Sequence, residues 1–149
     1  MDFSRIVDID APTDLVWRVV SDGERWPEWT PTVTSIRRLD QGPVAIGSRV
    51  RIRQPRLPPA TWRITELEEG RSFTWVTRSP GVSVTARHWV EARGNGSRAT
   101  LSLRFTGLLG PLVGRLTRGL NERYLALEAL GLKTRCEEWH AAATPSPRG

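Results

Sequence analysis

Residues 82–107 read VSVTARHWVEARGNGSRATLSLRFTG, two alternating stretches either side of a glycine-rich break. In the first stretch Val82, Val84, Ala86, His88 and Val90 share one face, and Ser83, Thr85, Arg87 and Trp89 share the other. In the second, Ala99, Leu101, Leu103 and Phe105 oppose Thr100, Ser102, Arg104 and Thr106. A period of two with one apolar side is the pattern of a half-buried β-strand. Asn95-Gly96 between the stretches predicts a tight hairpin, because both residues tolerate positive φ. The pair is therefore antiparallel, with a Thr/Ser/Arg face turned to water.

The same period extends outward. Strands are expected at 33–40, 48–54, 60–68, 72–79, 82–92 and 98–107, separated by the turn signals DQGP, PRLPP, EEGR, SPG and RGNGS. Connections this short join antiparallel neighbours. Residues 3–10, FSRIVDID, predict a seventh strand. Val50, Ile52, Trp62, Ile64, Phe73 and Trp75 belong to the inner face, and Glu66 continues that register. A short helix is expected from Thr13, taken as its N-cap, to near Ser21–Gly23, and a short turn or one helical turn over RWPEWTP at 25–31.

From 109 to about 139 the period becomes 3.6. Leu109, Val113, Leu116, Leu120, Tyr124 and Leu127 fall on one stripe. One helix of that length would be ~45 Å long, and seven strands a little over ~30 Å wide, so a single helix can cross the whole sheet. Gly114 and Gly119 interrupt it at about 1 kcal/mol each, with no reason visible in the pattern. The expected architecture is α+β: a curved seven-stranded antiparallel sheet around a long C-terminal helix, with two short helices after the first strand. The domain is expected over 1–140, and 141–149, AAATPSPRG, as a disordered tail.

Composition limits the function. The 149 residues are 38% hydrophobic and 26% charged, enough for one domain with its own core. No apolar run is long enough for a membrane span, and MDFSRIVDID lacks the apolar stretch of a signal peptide, so a cytoplasmic location is expected. Cys136 is the single cysteine and His88 and His140 the two histidines, which argues against thiolate or histidine-rich metal sites. No phosphate-cradling, metalloprotease or nucleophile-elbow motif occurs, so no cofactor and no metal is expected. Net charge is +6, carried by 21 Arg and Lys133. These are dispersed without a basic run, so nucleic acid is not the expected partner.

One twisted sheet and one helix leave either a close-packed interior or a gap. The gap would be an apolar pocket with a few polar groups. Its expected walls are Trp62, Phe73, Trp75 and Val84 with Leu101, Leu103 and Phe105 from the sheet, and Leu116, Leu120 and Tyr124 from the helix. His88 points inward too, either as a hydrogen-bonded core residue or as a group that orients or protonates a ligand. Tyr124 could donate to a ligand carbonyl. Glu66 could be a base at the mouth, and the PRLPP loop could border it. Trp17, Trp26 and Trp29 are expected to pack the short helices onto the sheet. Cys136 is expected to be a structural thiol.

The order of these pieces resembles the START-like, or SRPBCC, superfamily, within it the polyketide cyclase/dehydrase and lipid-transport branch. The resemblance is carried by IDAPTDLVWRVVSDGERWPEWTPTVTSI at 9–36, IGSRVRI at 46–52, FTW at 73–75, RHWVE at 87–91, LGPLVGRL at 109–116 and LALEALGLKTRCE at 125–137. It implies a β-α-α-β6-α order and a ligand cavity under the C-terminal helix. The expected function is binding of a small hydrophobic, lipid-like or polyketide-like molecule, as carrier or sensor, by a monomer or homodimer. The alternative is a cyclase or dehydratase using His88 and Tyr124. A third reading is anion or nucleic-acid binding on the Arg-rich sheet face.

Overall fold

The computed structural model describes residues 1–143. Seven antiparallel strands form one sheet in the order β1-β7-β6-β5-β4-β3-β2. They are β1 Asp2–Ile9, β2 Ser35–Arg38, β3 Arg49–Arg53, β4 Ala60–Glu68, β5 Ser72–Ser79, β6 Val82–Arg93 and β7 Gly96–Thr106. Helix α1, Thr13–Ser21, and a 3-10 helix, Gly23–Glu28, follow β1; α2, Gly110–Leu116, and α3, Arg118–Ala143, follow β7. The alternation in 82–106 places Ala86, His88, Val90, Leu101 and Phe105 in the buried interior. Arg51, Arg63, Arg87 and Arg104 are exposed on the opposite face.

Several expectations shift locally. The β6–β7 turn is Gly94-Asn95, since Arg93 pairs with Gly96. Gly94 supplies the positive φ of 56°, the glycine-first arrangement of a II′ turn. Gly96 lies in the strand instead, and a Cβ there would strike the carbonyl of Ile9. In β4 the register slips between Ile64 and Glu66. A bulge reverses the facing of the residues beyond it, so Glu66 is exposed and Leu67 packs against the core. Thr13 is the first residue of α1 rather than its cap; Pro12 precedes it and no side chain caps the helix.

The expected single C-terminal helix is two. At the break Thr117 Oγ1 donates back to the Val113 carbonyl at 2.7 Å and accepts from Asn121 Nδ2 at 2.9 Å. Such back-bonding competes with the helical ladder and bends it. The glycines of α2 have a packing reason: a Cβ on Gly110 would sit 3.0 Å from the Phe105 backbone, and one on Gly114 3.3 Å from its ring. The buried face of α3 is Asn121, Leu125, Glu128, Ala129, Leu132 and Cys136. That is one residue, roughly 100°, round from the expected stripe. Leu120 is accordingly only half-buried, and Leu116, at the end of α2, is 75% exposed. Helix α3 also takes in 141–143 of the expected tail; 144–149 lie outside the described residues. No helix among the described residues is long and apolar enough to cross a membrane.

The rotation of α3 is set where Gly131 meets the backbone carbonyl of Trp29, with no room for a Cβ. Gly131→Ala is expected to cost about 2–3 kcal/mol through the forced shift of helix or loop. Gly119, in the same helix with nothing near its Cβ position, is the control. Gly119→Ala should stabilise by up to about 1 kcal/mol. Urea unfolding of both variants checks the pair.

Candidate functional site: a cavity under the C-terminal helix

A cavity of about 500 Å³ lies between the sheet and the first turns of α3. Its floor is the inner face of β3 to β7: Ile52, Trp62, Trp75, Val84, Ala86, His88, Leu101, Leu103 and Phe105. Val113 of α2, then Thr117, Asn121, Tyr124, Leu125 and Glu128, form its roof. Trp26 and Val33 close one end, and Leu57, Pro58 and Pro59 of the PRLPP loop border it. The wall is mostly hydrocarbon and aromatic carbon, as ligand sites are. Eight of the expected residues line it. Leu120 does not, because of the rotation of α3, and neither does Leu116, which ends α2 exposed to solvent. Phe73 instead lines a smaller neighbouring pocket of about 160 Å³.

His88 sits in an aromatic box. The Phe73 ring stacks on it at 4.3 Å between centroids, and Trp26 and Trp75 meet it edge-on at 5.3 and 5.4 Å. The side chain is 4% exposed and its Nδ1 has no hydrogen-bond partner. Burial pushes its pKa down to about 3, against a smaller upward pull from a hydrogen bond with the Phe73 backbone. It is therefore a neutral imidazole across the physiological range. Tyr124 is also committed: its hydroxyl donates to the Pro55 carbonyl. This ties the helix to the PRLPP loop.

The group that titrates near neutrality is one the helix stripe had placed off centre. Glu128 is 8% exposed and lines the cavity. Its Oε1 accepts from Thr32 Oγ1 at 2.9 Å, and Thr32 is in turn 3.0 Å from Thr30 Oγ1. No cation faces it. Burial pushes its pKa up to about 7, with the Thr32 hydrogen bond pulling the other way. Spacing could have found it: Asn121, Leu125, Glu128 and Leu132 follow i, i+4, i+7, i+11, but two polar members masked the stripe. Trp62 adds a further polar atom, an indole Nε1–H buried without a partner. Cys136 is fully buried with its thiol pushed up to about 12, mainly by burial, as a structural thiol would be. Trp17, Trp26 and Trp29 are all core residues; Trp26 packs on Trp29 and Trp75 at 5.2 and 5.4 Å.

Residues 1–137 match the family model described as polyketide cyclase / dehydrase and lipid transport. The chain belongs to this family. A search of curated proteins gives no match. Among solved structures the family fold recurs at low identity. A START superfamily protein from Mycobacterium smegmatis is 19% identical, with a TM-score of 0.72 over 93% of this chain and 98% of that one. A protein from Thermobifida fusca is 18% identical, with a TM-score of 0.77 over 92% and 93%. The di-domain ARO/CYC protein StfQ from the steffimycin biosynthetic pathway is 13% identical, with a TM-score of 0.74 over 96% of this chain and 52% of that one. The helix-grip arrangement of sheet and C-terminal helix is common to this START-type fold.

The two buried titratable groups pull stability in opposite directions. The unfolded chain protonates His88 near 6.5 and the folded chain only near 3, so its contribution to stability falls as pH drops through that window. Glu128 holds its proton to about 7 when folded but releases it near 4.5 when unfolded, so its contribution falls as pH rises through that window. Between 4.5 and 6.5 the slopes, each about 1.4 kcal/mol per pH unit, oppose one another. Glu128→Gln should uncover the His88 slope. Its stability relative to the wild type should grow with pH by about that amount per unit from pH 4.5 to 7, read by urea titration at each pH.

Proposed function

We propose that the chain binds a small, largely apolar molecule, lipid-like or polyketide-like, in this cavity, as a carrier or sensor. The observation that supports the reading is the cavity itself. About 500 Å³ of space is within the ~300–1,000 Å³ of ligand sites, and it is walled by aromatic and aliphatic side chains with few polar groups. A folding chain gains nothing from such a void, because its lining forgoes dispersion contacts. The family description, polyketide cyclase / dehydrase and lipid transport, names the two classes of molecule that such a wall suits.

The enzymatic alternative rested on His88 and Tyr124. A neutral, boxed imidazole and a hydroxyl already bonded to Pro55 supply no acid/base pair at neutral pH. The Arg-rich face fits solvent contact and local pairing: Arg104 bonds Asp2 at 2.9 Å, Arg98 bonds Asp8 at 2.8 Å, and Arg87 lies 4.9 Å over the Trp89 ring. Binding in the cavity requires neither arrangement.

Native mass spectrometry of freshly purified protein is expected to show a retained small molecule that denaturation releases. Val84→Trp, which builds an indole into the cavity from β6, should keep cooperative unfolding and lose that molecule. A wild-type protein that carries nothing and takes up no apolar probe would overturn the binding reading.

A further inference from the structure

The cavity is apolar in area, and among the described residues that line it Glu128 is the one carboxyl. Glu128 Oε1 is held by Thr32, while Oε2 has no hydrogen-bond partner among the described residues. Oε2 is also not among the buried side-chain atoms sealed off without a partner, so it is open to the space that Glu128 lines. Resting on the ligand-binding reading above, the geometry points to Glu128 as the specificity-determining group of the cavity: a carboxylic acid that donates through Oε2 to an uncharged acceptor oxygen, a ketone or similar carbonyl, on an otherwise apolar ligand.

The charges around Glu128 favour this form over a carboxylate. On its own helix the nearest ionisable lining group is Tyr124, whose hydroxyl is bonded to Pro55. From the segment after the 3-10 helix it meets Thr32, which is in turn bonded to Thr30, both uncharged. From β6 the cavity presents His88, neutral above about pH 3. From β3 and β5 it presents Arg51 and Arg78, both solvent-exposed and neither paired with Glu128. An ionised Glu128 would be a buried charge without a counter-ion. The burial that raises its pKa to about 7 increases when a ligand displaces water. A ligand carboxylate or sulfonate would set a second negative charge in the same low-dielectric space, which is disfavoured. A carbonyl accepts the proton of the acid and leaves nothing ionised. Binding should then fail as pH rises, because deprotonation removes the donor.

The test uses two naphthalene probes read by fluorescence: the neutral ketone 6-propionyl-2-(dimethylamino)naphthalene and the anion 1-anilino-8-naphthalenesulfonate. For wild type, the dissociation constant of the ketone should be constant from pH 5 to 6. It should weaken about tenfold by pH 8, the population arithmetic for a group that must be protonated with a pKa of about 7. The anion should bind more weakly than the ketone throughout. Glu128→Gln keeps a donor that does not titrate, so its ketone profile should be flat. Thr32→Val removes the hydrogen bond that favours the carboxylate, so the midpoint should move to higher pH. A flat wild-type profile, a Gln variant that follows wild type, or preference for the anion would overturn the assignment of Glu128 while leaving the cavity reading intact. Failure of both probes to bind wild type at any pH would overturn the cavity reading and this assignment with it.

Discussion

The Trp29 carbonyl and the missing side chain of Gly131 fix how the whole molecule closes. Backbone lies against backbone there, so helix α3 can neither roll nor lift at that point. Polar ties hold the two sides of the same stretch. Arg135 bonds both Glu28 Oε1 and the Glu28 carbonyl at 3.0 Å. On the other side Lys133 Nζ reaches the Asp8 carbonyl at 3.0 Å, and Glu137 accepts from the Asp10 amide at 2.8 Å. The exposed ion pairs add little stability, but their placement settles orientation. With its C-terminal half held against β1 and the 3-10 helix, the helix buries Leu132 and Cys136 in the main core. Its N-terminal half has to cross the sheet at the height that this anchor sets. Beneath it the inner face of β3 to β7 is not fully covered, and the cavity is the remainder.

Much of this was legible in the chain because its signals are local. The hairpin over 82–106 follows from alternation, and the seven strands from turn chemistry between short runs. What was not legible depends on tertiary contact. The β4 bulge turned Glu66 outward, and nothing in ATWRITELE marks where a ladder will slip. The stripe was read as one helix, yet the chain breaks at Thr117; Leu116 ends α2 exposed, and Leu120 is only half-buried on α3, whose rotation the Gly131 contact sets. Gly114 looked like a cost in helix propensity and proved to be a contact with Phe105. Gly119 has no neighbour to explain it.

The site shows the same division. Its aromatic floor could be read from the register, since Trp62, Trp75 and His88 had to share a face with Val84. Its chemistry could not, because a pKa depends on surroundings rather than on residue type. His88 was the natural candidate for proton transfer and the fold removes that capacity by boxing it between Phe73, Trp26 and Trp75. Glu128 looked like an ordinary charge on a helix, and burial beside Thr32 makes it the group poised near neutrality.

A buried carboxyl with no cation is costly to keep. Its ionised form destabilises the fold, and an apolar side chain of similar volume at 128 would pack against Leu125 and Leu132 without that cost. The hydrogen bond from Thr32 offsets only part of it, since the pKa remains well above that of a free glutamate. Core packing therefore supplies no reason for a glutamate at this position, and neither does a salt bridge. Sites where a chain departs from local rules without a compensating structural gain are those where function is the expected cause. Here the departure occurs where Glu128 lines the cavity and leaves Oε2 unbonded among the described residues.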